Sequence, residues 1–164
     1  MIDKRGYRPC VRVVIVKDNK ILLGKKIIHG KFVGYEFPGG GVESNDTLEQ
    51  TVIKECLEEV GILVTNVKSL DITLKYDVDY TKPERAKLFR GGVDTFFAAK
   101  FVKYNKSIYG ADNDLLPNEW CTIEEAINKI QNSTFNEYTE TRLAVLNKIK
   151  SNLSSVEKPH FNKW

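Results

Sequence analysis

Residues 38–62 constrain this chain more than any other stretch. They begin with a proline and three consecutive glycines, Gly39, Gly40 and Gly41, and glycine accepts backbone conformations that other residues avoid. Asp46 is predicted to cap the N-terminus of a helix, with Glu49 three residues later completing a capping box. Gly61 is the residue type that commonly ends a helix. We therefore predict a glycine turn followed by a helix over residues 47–60.

The predicted helix has two different faces. At about 100° per residue, one half-cylinder is apolar and should pack on a core; it contains Leu48, Val52, Ile53, Cys56, Leu57 and Val60. Glu55, Glu58 and Glu59 fall within an arc of roughly 100° on the other side. Carboxylates this close repel one another unless a positive charge lies among them. Oxygen-only ligands of high negative charge suit Mg²⁺ or Mn²⁺, and Mg²⁺ is usually shared with substrate phosphates.

A solvated acidic surface is the alternative interpretation of the three glutamates, because charge runs usually face water. The glycine turn before the helix favours a ligand site instead. It places bare backbone beside the same acidic face, where a ligand can approach closely.

These residues resemble the Nudix box, G-x5-E-x7-R-E-U-x-E-E-x-G-U, in which U is a bulky aliphatic residue. The positions that match, with both gap lengths intact, are Gly40, Glu55, Glu58, Glu59, Gly61 and Ile62. Asp46 replaces the first glutamate and keeps its charge. Lys54 replaces the arginine and loses the planar group that can hold a carboxylate with two hydrogen bonds. Cys56 replaces an aliphatic residue and should pack as a small hydrophobe.

The chain is therefore identified as a member of the Nudix hydrolase family, over residues 8–150 in general pattern. Membership implies an α/β fold, an α/β/α sandwich with a central mixed β-sheet. It also implies hydrolysis of a pyrophosphate bond in a nucleoside diphosphate linked to another moiety. The resemblance assigns Mg²⁺ or Mn²⁺ to the three glutamates and to a carbonyl of Gly39 or Gly40. Glu55 is the expected general base, and Lys54 is expected to support the carboxylates.

Other residues are weaker candidates for the site. Some family members use an acid from a distant loop as the base, and here the candidates are Asp112, Asp114 and Glu119. Arg12 lies in a predicted strand, where it either faces solvent from a half-exposed sheet or contacts a substrate phosphate. Residues 76–92 are predicted as a mobile connection or a basic flap over a polyphosphate. Tyr35, Phe37, Arg85 and Arg90 are further candidates for contacts to the base or the phosphates of the substrate.

The remaining elements are predicted from β-favouring runs and turn residues. Predicted strands cover residues 10–16, 20–25, 34–37, 62–74 (as one or two strands), 94–104 and 120–121. Residues 29–31 and 106–116 are predicted as loops, and Asp18 with Asn19 as a turn.

Two Thr-x-x-Glu pairs predict helices near the end of the chain. Thr122 with Glu125 opens a helix over residues 123–130, and Thr134 with Glu137 opens a last helix that runs to about Ile149. The side chains predicted to dock this last helix are Tyr138, Leu143, Leu146 and Ile149. Residues 151–164 are polar and predicted to form a flexible tail.

Composition fits one soluble domain over residues 1–164. The chain is 41% hydrophobic and 29% charged, with a formal net charge of +3. This mild charge is compatible with an anionic substrate and does not by itself indicate nucleic acid. No signal peptide or membrane span is predicted. Cys10, Cys56 and Cys121 have no C-x-x-C spacing, so we expect free thiols in a reducing cytoplasm. A homodimer is compatible with the sequence.

The pyrophosphate chemistry leaves the rest of the substrate open. The candidates are nucleotide sugars or ADP-ribose, dinucleoside polyphosphates, nucleoside triphosphates and RNA 5′ ends. The sequence favours a small nucleotide, because the net charge is low and no long basic stripe is present. The alternatives are an RNA 5′-end pyrophosphohydrolase or a nucleotide sensor that binds without hydrolysis. Loss of the acids would indicate a sensor, and all three glutamates are present.

Overall fold

A mixed β-sheet is the centre of this computed structural model, which describes residues 5–28, 30–77, 88–105, 115–133 and 138–157. The strands are β1 (Tyr7–Lys17), β2 (Lys20–Ile28), β3 (Lys31–Glu36), β4 (Gly39–Gly41), β5 (Ile62–Asp77), β6 (Gly91–Tyr104) and β7 (Leu115–Cys121). Their order is β3-β2-β1-β6-β5, with β4 also paired to β1 and β7 to β2. The β1–β6 pair is parallel and the other pairs are antiparallel.

Helices cover both faces of this sheet. The helices are α1 (Leu48–Val60), α2 (Ile123–Gln131) and α3 (Thr139–Glu157). Alternate residues of β1 serve the two layers: Val11, Val13 and Ile15 join the core under α1, whereas Val14 and Val16 join the core under α2 and α3. Burial on both faces explains why β1 is a nearly continuous apolar run. The predicted α/β/α sandwich around a mixed sheet is confirmed.

The helix α1 begins one residue later than its predicted cap requires. Thr47, in an extended conformation, is the N-cap: its hydroxyl accepts a hydrogen bond from the Gln50 amide at 3.1 Å, and the Gln50 side chain accepts one from the Thr47 amide at 2.8 Å. The predicted box of Asp46 and Glu49 is therefore wrong, because the next pair along the chain makes both bonds. The predicted end is confirmed, with Gly61 left-handed at φ 65°.

The apolar face of α1 is narrower than predicted. Val52, Cys56 and Val60 are buried in the core, and Leu48 packs against them. Ile53 is 37% exposed, so its predicted place in the core is wrong. A step of about 100° from Val52 carries it to the margin of the buried arc.

Several strands are longer than predicted. The strand β1 starts at Tyr7, β2 extends to Ile28, and β3 already includes Lys31, so the predicted loop at this residue is wrong. The turn at Asp18 and Asn19 is confirmed, with φ values of 50° and 60°.

The predicted connection over residues 76–92 is partly strand. Tyr76 pairs with Gly92 and Asp77 with Gly91, which lengthens the β5–β6 hairpin at the expense of the loop. Gly91 permits this pairing, because a Cβ there would lie 1.9 Å from the Tyr76 carbonyl oxygen. Residues 78–87, including Arg85, lie outside the described residues.

The last two helices differ in how well the sequence predicts them. The capping box of Thr122 and Glu125 is confirmed, whereas the predicted box at Thr134 and Glu137 lies outside the described residues. The helix α3 continues to Glu157, past a kink at Asn152, so the predicted tail is wrong for residues 151–157. The apolar side chains buried from α3 are Val145, Leu146 and Ile149, with Leu143 packed beside them. None of the helices among the described residues has the length and apolar character needed to cross a membrane.

Candidate active site

The three glycines form the short strand β4 between β1 and α1. Gly39, Gly40 and Gly41 pair with Arg12, Val11 and Cys10 of β1. A Cβ on Gly40 would lie 2.5 Å from the carboxylate of Glu55, and one on Gly41 would lie 2.1 Å from the guanidinium of Arg8. Glycine at these two positions therefore allows the Glu55 and Arg8 side chains to approach the strand closely, and a larger residue would displace them. None of the three has a positive φ, so the predicted glycine turn is a strand.

Glu59 is hydrogen-bonded to this strand. The Gly39 amide donates to its Oε2 at 2.8 Å. Burial raises the pKa of Glu59 to about 7; the hydrogen bond and the charge of Arg12 oppose this rise, and the charges of Glu55 and Glu36 add to it. A carboxyl group in this state gains from a cation that replaces its proton.

Glu55 lies on α1 one turn before Glu59, and its carboxylate lies against Gly40. Burial and the charge of Glu58 raise its pKa, whereas Lys54, Arg12 and Arg8 lower it. Glu58 itself is exposed. We call Gly39, Gly40, Glu55 and Glu59 the carboxylate edge.

The carboxylate edge has the donor chemistry of a hard-cation site. Its donors are carboxylate oxygens and backbone carbonyls, which suit Mg²⁺ or Mn²⁺. Burial is the main reason why the pKa values of Glu55 and Glu59 are raised; nearby carboxylates add to it, and the neighbouring cations only partly oppose it. Within the described part of the chain, no three His, Cys, Asp or Glu side chains converge closely enough to hold a metal by themselves. The residues fit a cation shared with a substrate better than one enclosed by protein.

Lys54 contacts acids on the loop before α1. Its Nζ lies 3.0 Å from Oε2 of Glu43 and 3.8 Å from Oδ2 of Asp46. Its influence on Glu55 is a charge effect that lowers the pKa of that group. The expected catalytic support of the carboxylates by Lys54 stays a prediction.

Arg12 lies beside the carboxylate edge, in the strand that pairs with β4. Its Nη1 donates to the Phe37 carbonyl at 3.2 Å, and its Nε lies 3.5 Å from Oδ2 of Asp94. Burial lowers the pKa of Arg12, but the charges of Glu36, Asp94 and Glu59 outweigh that effect and raise it. The predicted solvent-facing position is wrong, because the side chain of Arg12 is only 19% exposed and pairs with Asp94.

Sequence reasoning missed Asp94, Glu36 and Arg8. Asp94 is buried, and burial raises its pKa against the charge of Arg12. Its signal was a charged residue at the start of an otherwise apolar run, DTFFAA. Arg8 had no such signal, because an arginine beside a proline is ordinary on a surface.

The other candidates lie in different places. The ring of Phe37 is fully buried and packs edge-on to Phe96, so its predicted contact with substrate is wrong and only its carbonyl faces Arg12. Tyr35 packs against Phe32 and under Lys129, which also pairs with Glu119 at 2.9 Å. Arg90 lies beside the ring of Tyr7. Asp112 and Asp114 lie outside the described residues.

Comparisons with known proteins agree with this architecture. A family model described as NUDIX domain matches residues 6–142. An RNA pyrophosphohydrolase of Hydrogenovibrio crunogenus is 42% identical over 82 residues, which are 48% of this chain and 48% of that protein. An RNA pyrophosphohydrolase of Acinetobacter baylyi is 32% identical over 114 residues, 66% of this chain and 67% of that protein. The chain thus spans about half the length of the first relative and two thirds of the second.

Solved structures share the fold. A NUDIX hydrolase from Nitrosomonas europaea matches with a TM-score of 0.64 at 18% sequence identity. The match covers 96% of this chain and 97% of the chain of that hydrolase. An ADP compounds hydrolase matches with a TM-score of 0.66 at 16% sequence identity. The match covers 93% of this chain and 77% of the chain of that hydrolase. At these identities the likeness concerns the fold alone.

Proposed function

Because the chain belongs to the Nudix hydrolase family, we propose that its carboxylate edge hydrolyses a pyrophosphate bond in a nucleoside diphosphate linked to another moiety. One observation carries this proposal. The Gly39 amide fixes Oε2 of Glu59, while Gly40 lies against the carboxylate of Glu55. Two partly buried carboxylates are thus held beside a strand whose lack of side chains lets them approach its backbone closely.

The cation would be held by carboxylate oxygens of Glu55, Glu58 and Glu59, together with a carbonyl of Gly39 or Gly40. A bound Mg²⁺ or Mn²⁺ supplies positive charge against phosphate oxygens and lowers the pKa of an attacking water. The fixed orientation of Glu59 limits the reorganisation needed when such an ion binds. Glu55 is the proposed general base, because its raised pKa makes it a stronger proton acceptor than an ordinary glutamate.

Arginines flank the carboxylate edge. Arg8 packs against Gly41, and Arg12 contacts the carbonyl of Phe37, two residues before Gly39. Charge-assisted hydrogen bonds from guanidinium groups are well suited to phosphate oxygens. Arg8 is the better placed of the two for a substrate, because Arg12 already pairs with Asp94.

The RNA 5′ end is the first substrate to test. Both relatives above are named RNA pyrophosphohydrolase, which supports the substrate that the sequence ranked second. The small nucleotide remains the competing hypothesis, and a sensor remains the non-catalytic one.

The free, buried state of Cys10, Cys56 and Cys121 supports a reducing compartment such as the cytoplasm.

The test measures phosphate and nucleotide release from a panel of substrates with Mg²⁺, with Mn²⁺ and with EDTA. The panel contains ADP-ribose, a GDP-sugar, diadenosine tetraphosphate, GTP and a 5′-triphosphorylated RNA. We expect metal-dependent release by the wild type and a loss of at least about a hundredfold in Glu59→Gln.

Glu49→Gln is the matched control, because Glu49 is exposed on the same helix and should retain full activity. Equal turnover by Glu59→Gln and the wild type would refute the site. Nucleotide binding without release of any product would instead identify a sensor.

A further inference from the structure

Two cations share one aromatic ring at the end of the sheet. Nζ of Lys75 lies 4.1 Å from the ring centre of Tyr7, and the guanidinium carbon of Arg90 lies 5.4 Å from it. The Tyr7 hydroxyl donates to Oδ1 of Asp77 at 3.0 Å, which fixes the ring. We call Tyr7, Lys75 and Arg90 the Tyr7 row.

The Tyr7 row is built by three neighbouring strands. Tyr7 pairs with Gly91 in β6, and Gly91 pairs with Asp77 in β5. The Arg90 amide also donates to the Gly6 carbonyl at 2.9 Å, so the backbone beside both cations is anchored. This position depends on sheet pairing and not on a loop.

The row lies beside the carboxylate edge. The next residue of β1, Arg8, packs against Gly41, and its charge lowers the pKa of Glu55. Cys10, the partner of Gly41 in the sheet, is three residues from Tyr7, which is about 10 Å along a strand. A substrate with its terminal phosphates at the carboxylate edge would reach the row only if its chain continued beyond the first nucleotide.

The charges of the row favour an anion. Lys75 and Arg90 are exposed, and neither forms an ion pair with any residue in the described part of the chain. Both cations lie beside the same ring, and with the Asp77 carboxylate counted the group still carries a net positive charge, which attracts an anion. Arg8 with Phe89, at 5.9 Å, repeats the pairing of a cation with a ring nearby. Cations interleaved with aromatic rings are typical of surfaces that follow single-stranded nucleic acid.

We propose that the Tyr7 row binds backbone phosphates of the nucleotides that follow the 5′ end of a single-stranded RNA. The inference rests on the proposed hydrolysis at the carboxylate edge and names the substrate class of that same site. Lys75 and Arg90 contact phosphates, and Tyr7 holds the two cations in place. Recognition by these cations is independent of base sequence.

The test separates RNA binding from turnover. The double variant K75A/R90A is compared with the wild type and with Lys103→Ala, which removes an exposed lysine from the opposite end of β6. Fluorescence anisotropy in EDTA measures the Kd of a 5′-monophosphorylated ten-nucleotide RNA over a range of salt concentrations. We expect the double variant to bind several-fold more weakly. The slope of the logarithm of the binding constant against the logarithm of the salt concentration is negative, and its magnitude should decrease by about 0.7 for each phosphate that is no longer neutralised.

Kinetics with Mg²⁺ give the second measurement. For a 5′-triphosphorylated RNA, KM should rise in the double variant while kcat stays within about twofold, because the contact is uniform binding. For GTP, neither constant should change. Lys103→Ala should match the wild type throughout, and circular dichroism melting checks that all variants are folded.

Each failure has a distinct meaning. RNA binding with an unchanged Kd and salt slope in K75A/R90A would overturn the Tyr7 row. Equal losses of GTP turnover and RNA turnover in the double variant would overturn it as well. Absence of any hydrolysis by the wild type would refute the proposed function, while the anisotropy measurement would still decide whether the row binds RNA.

Discussion

Arg142, near the start of α3, donates from Nε and Nη2 to the two carboxylate oxygens of Glu36, the last residue of β3. Both side chains are about 5% exposed or less. Burial opposes ionisation of Glu36, but the charges of Arg12 and Arg142 outweigh it and lower the pKa of this glutamate. The pair joins the last helix to the segment that leads into Gly39.

Removing Arg142 should destabilise the whole domain. Arg142→Met leaves a buried carboxylate without its bidentate partner, and we expect a loss of about 3–5 kcal/mol in the free energy of unfolding, measured by urea titration. Adding Glu36→Gln should recover part of that loss, because the uncompensated charge is gone. Lys150→Met removes an exposed ion pair with Glu124 and should change little. A loss as small in Arg142→Met as in Lys150→Met would contradict the importance of the buried pair.

Gly40→Ala should impair activity more than stability. The new Cβ would meet the Glu55 carboxylate at 2.5 Å, so that carboxylate must move. Displacement of a reacting group by about 1 Å costs roughly a hundredfold in rate, and we expect a loss of that order in kcat/KM. Gly6→Ala is the control, because no described atom lies within 4 Å of the position that its Cβ would take. Full activity in Gly40→Ala would mean that Glu55 does not act where it lies.

The pH dependence of stability should report on Glu59 in the metal-free protein. Its pKa in the folded state is raised to about 7 from the ordinary value of 4.5, so between these values the folded state binds more protons than the unfolded state. This contribution to stability is complete below about pH 4.5 and is lost as the pH rises through about 7.

Thermal unfolding in EDTA from about pH 5 to about pH 8 measures the effect. We expect the wild-type Tm to fall across this range, a smaller fall in Glu59→Gln, and a wild-type profile in Glu49→Gln. Identical profiles for Glu59→Gln and the wild type would show that Glu59 titrates normally.

Lys54→Arg should leave activity within about twofold of the wild type, as expected for a surface pair. Lys54 contacts Glu43, which is 70% exposed, and the longer arginine can make the same contact. Measured kcat/KM values for both proteins check this expectation. A large decrease would mean that the lysine has a specific contact to the substrate.

The local features of this protein could be predicted from the sequence. Spacing along one helix predicts that Glu55 and Glu59 share one arc, which adjoins the buried arc of Val52, because a helix has a fixed period. The N-terminal end of α1 is harder to predict, because Asp46 with Glu49 and Thr47 with Gln50 both satisfy the capping pattern. Only the geometry of the entering chain selects Thr47.

The long-range ion pairs could not be predicted in this way. Arg142 and Glu36 are 106 positions apart, and no motif links them. Arg12 illustrates the same limit. Its position inside an apolar strand is visible in the sequence, but its partner Asp94 is known only once β1 and β6 are seen to be adjacent.

The pairing of β1 with β6 has a consequence for the order of folding. On one edge β1 pairs with β2 and β4, which follow soon after it in the chain, whereas Tyr7 through Val16 on the other edge pair with Gly91 through Lys100. During synthesis from the N-terminus, this edge of β1 stays unpaired until β6 has been made. Until then it can form hydrogen bonds with other strands or other chains. The pair of Arg12 and Asp94 forms only at that late step, so the arginine beside the carboxylate edge acquires its partner after more than half of the chain has been made.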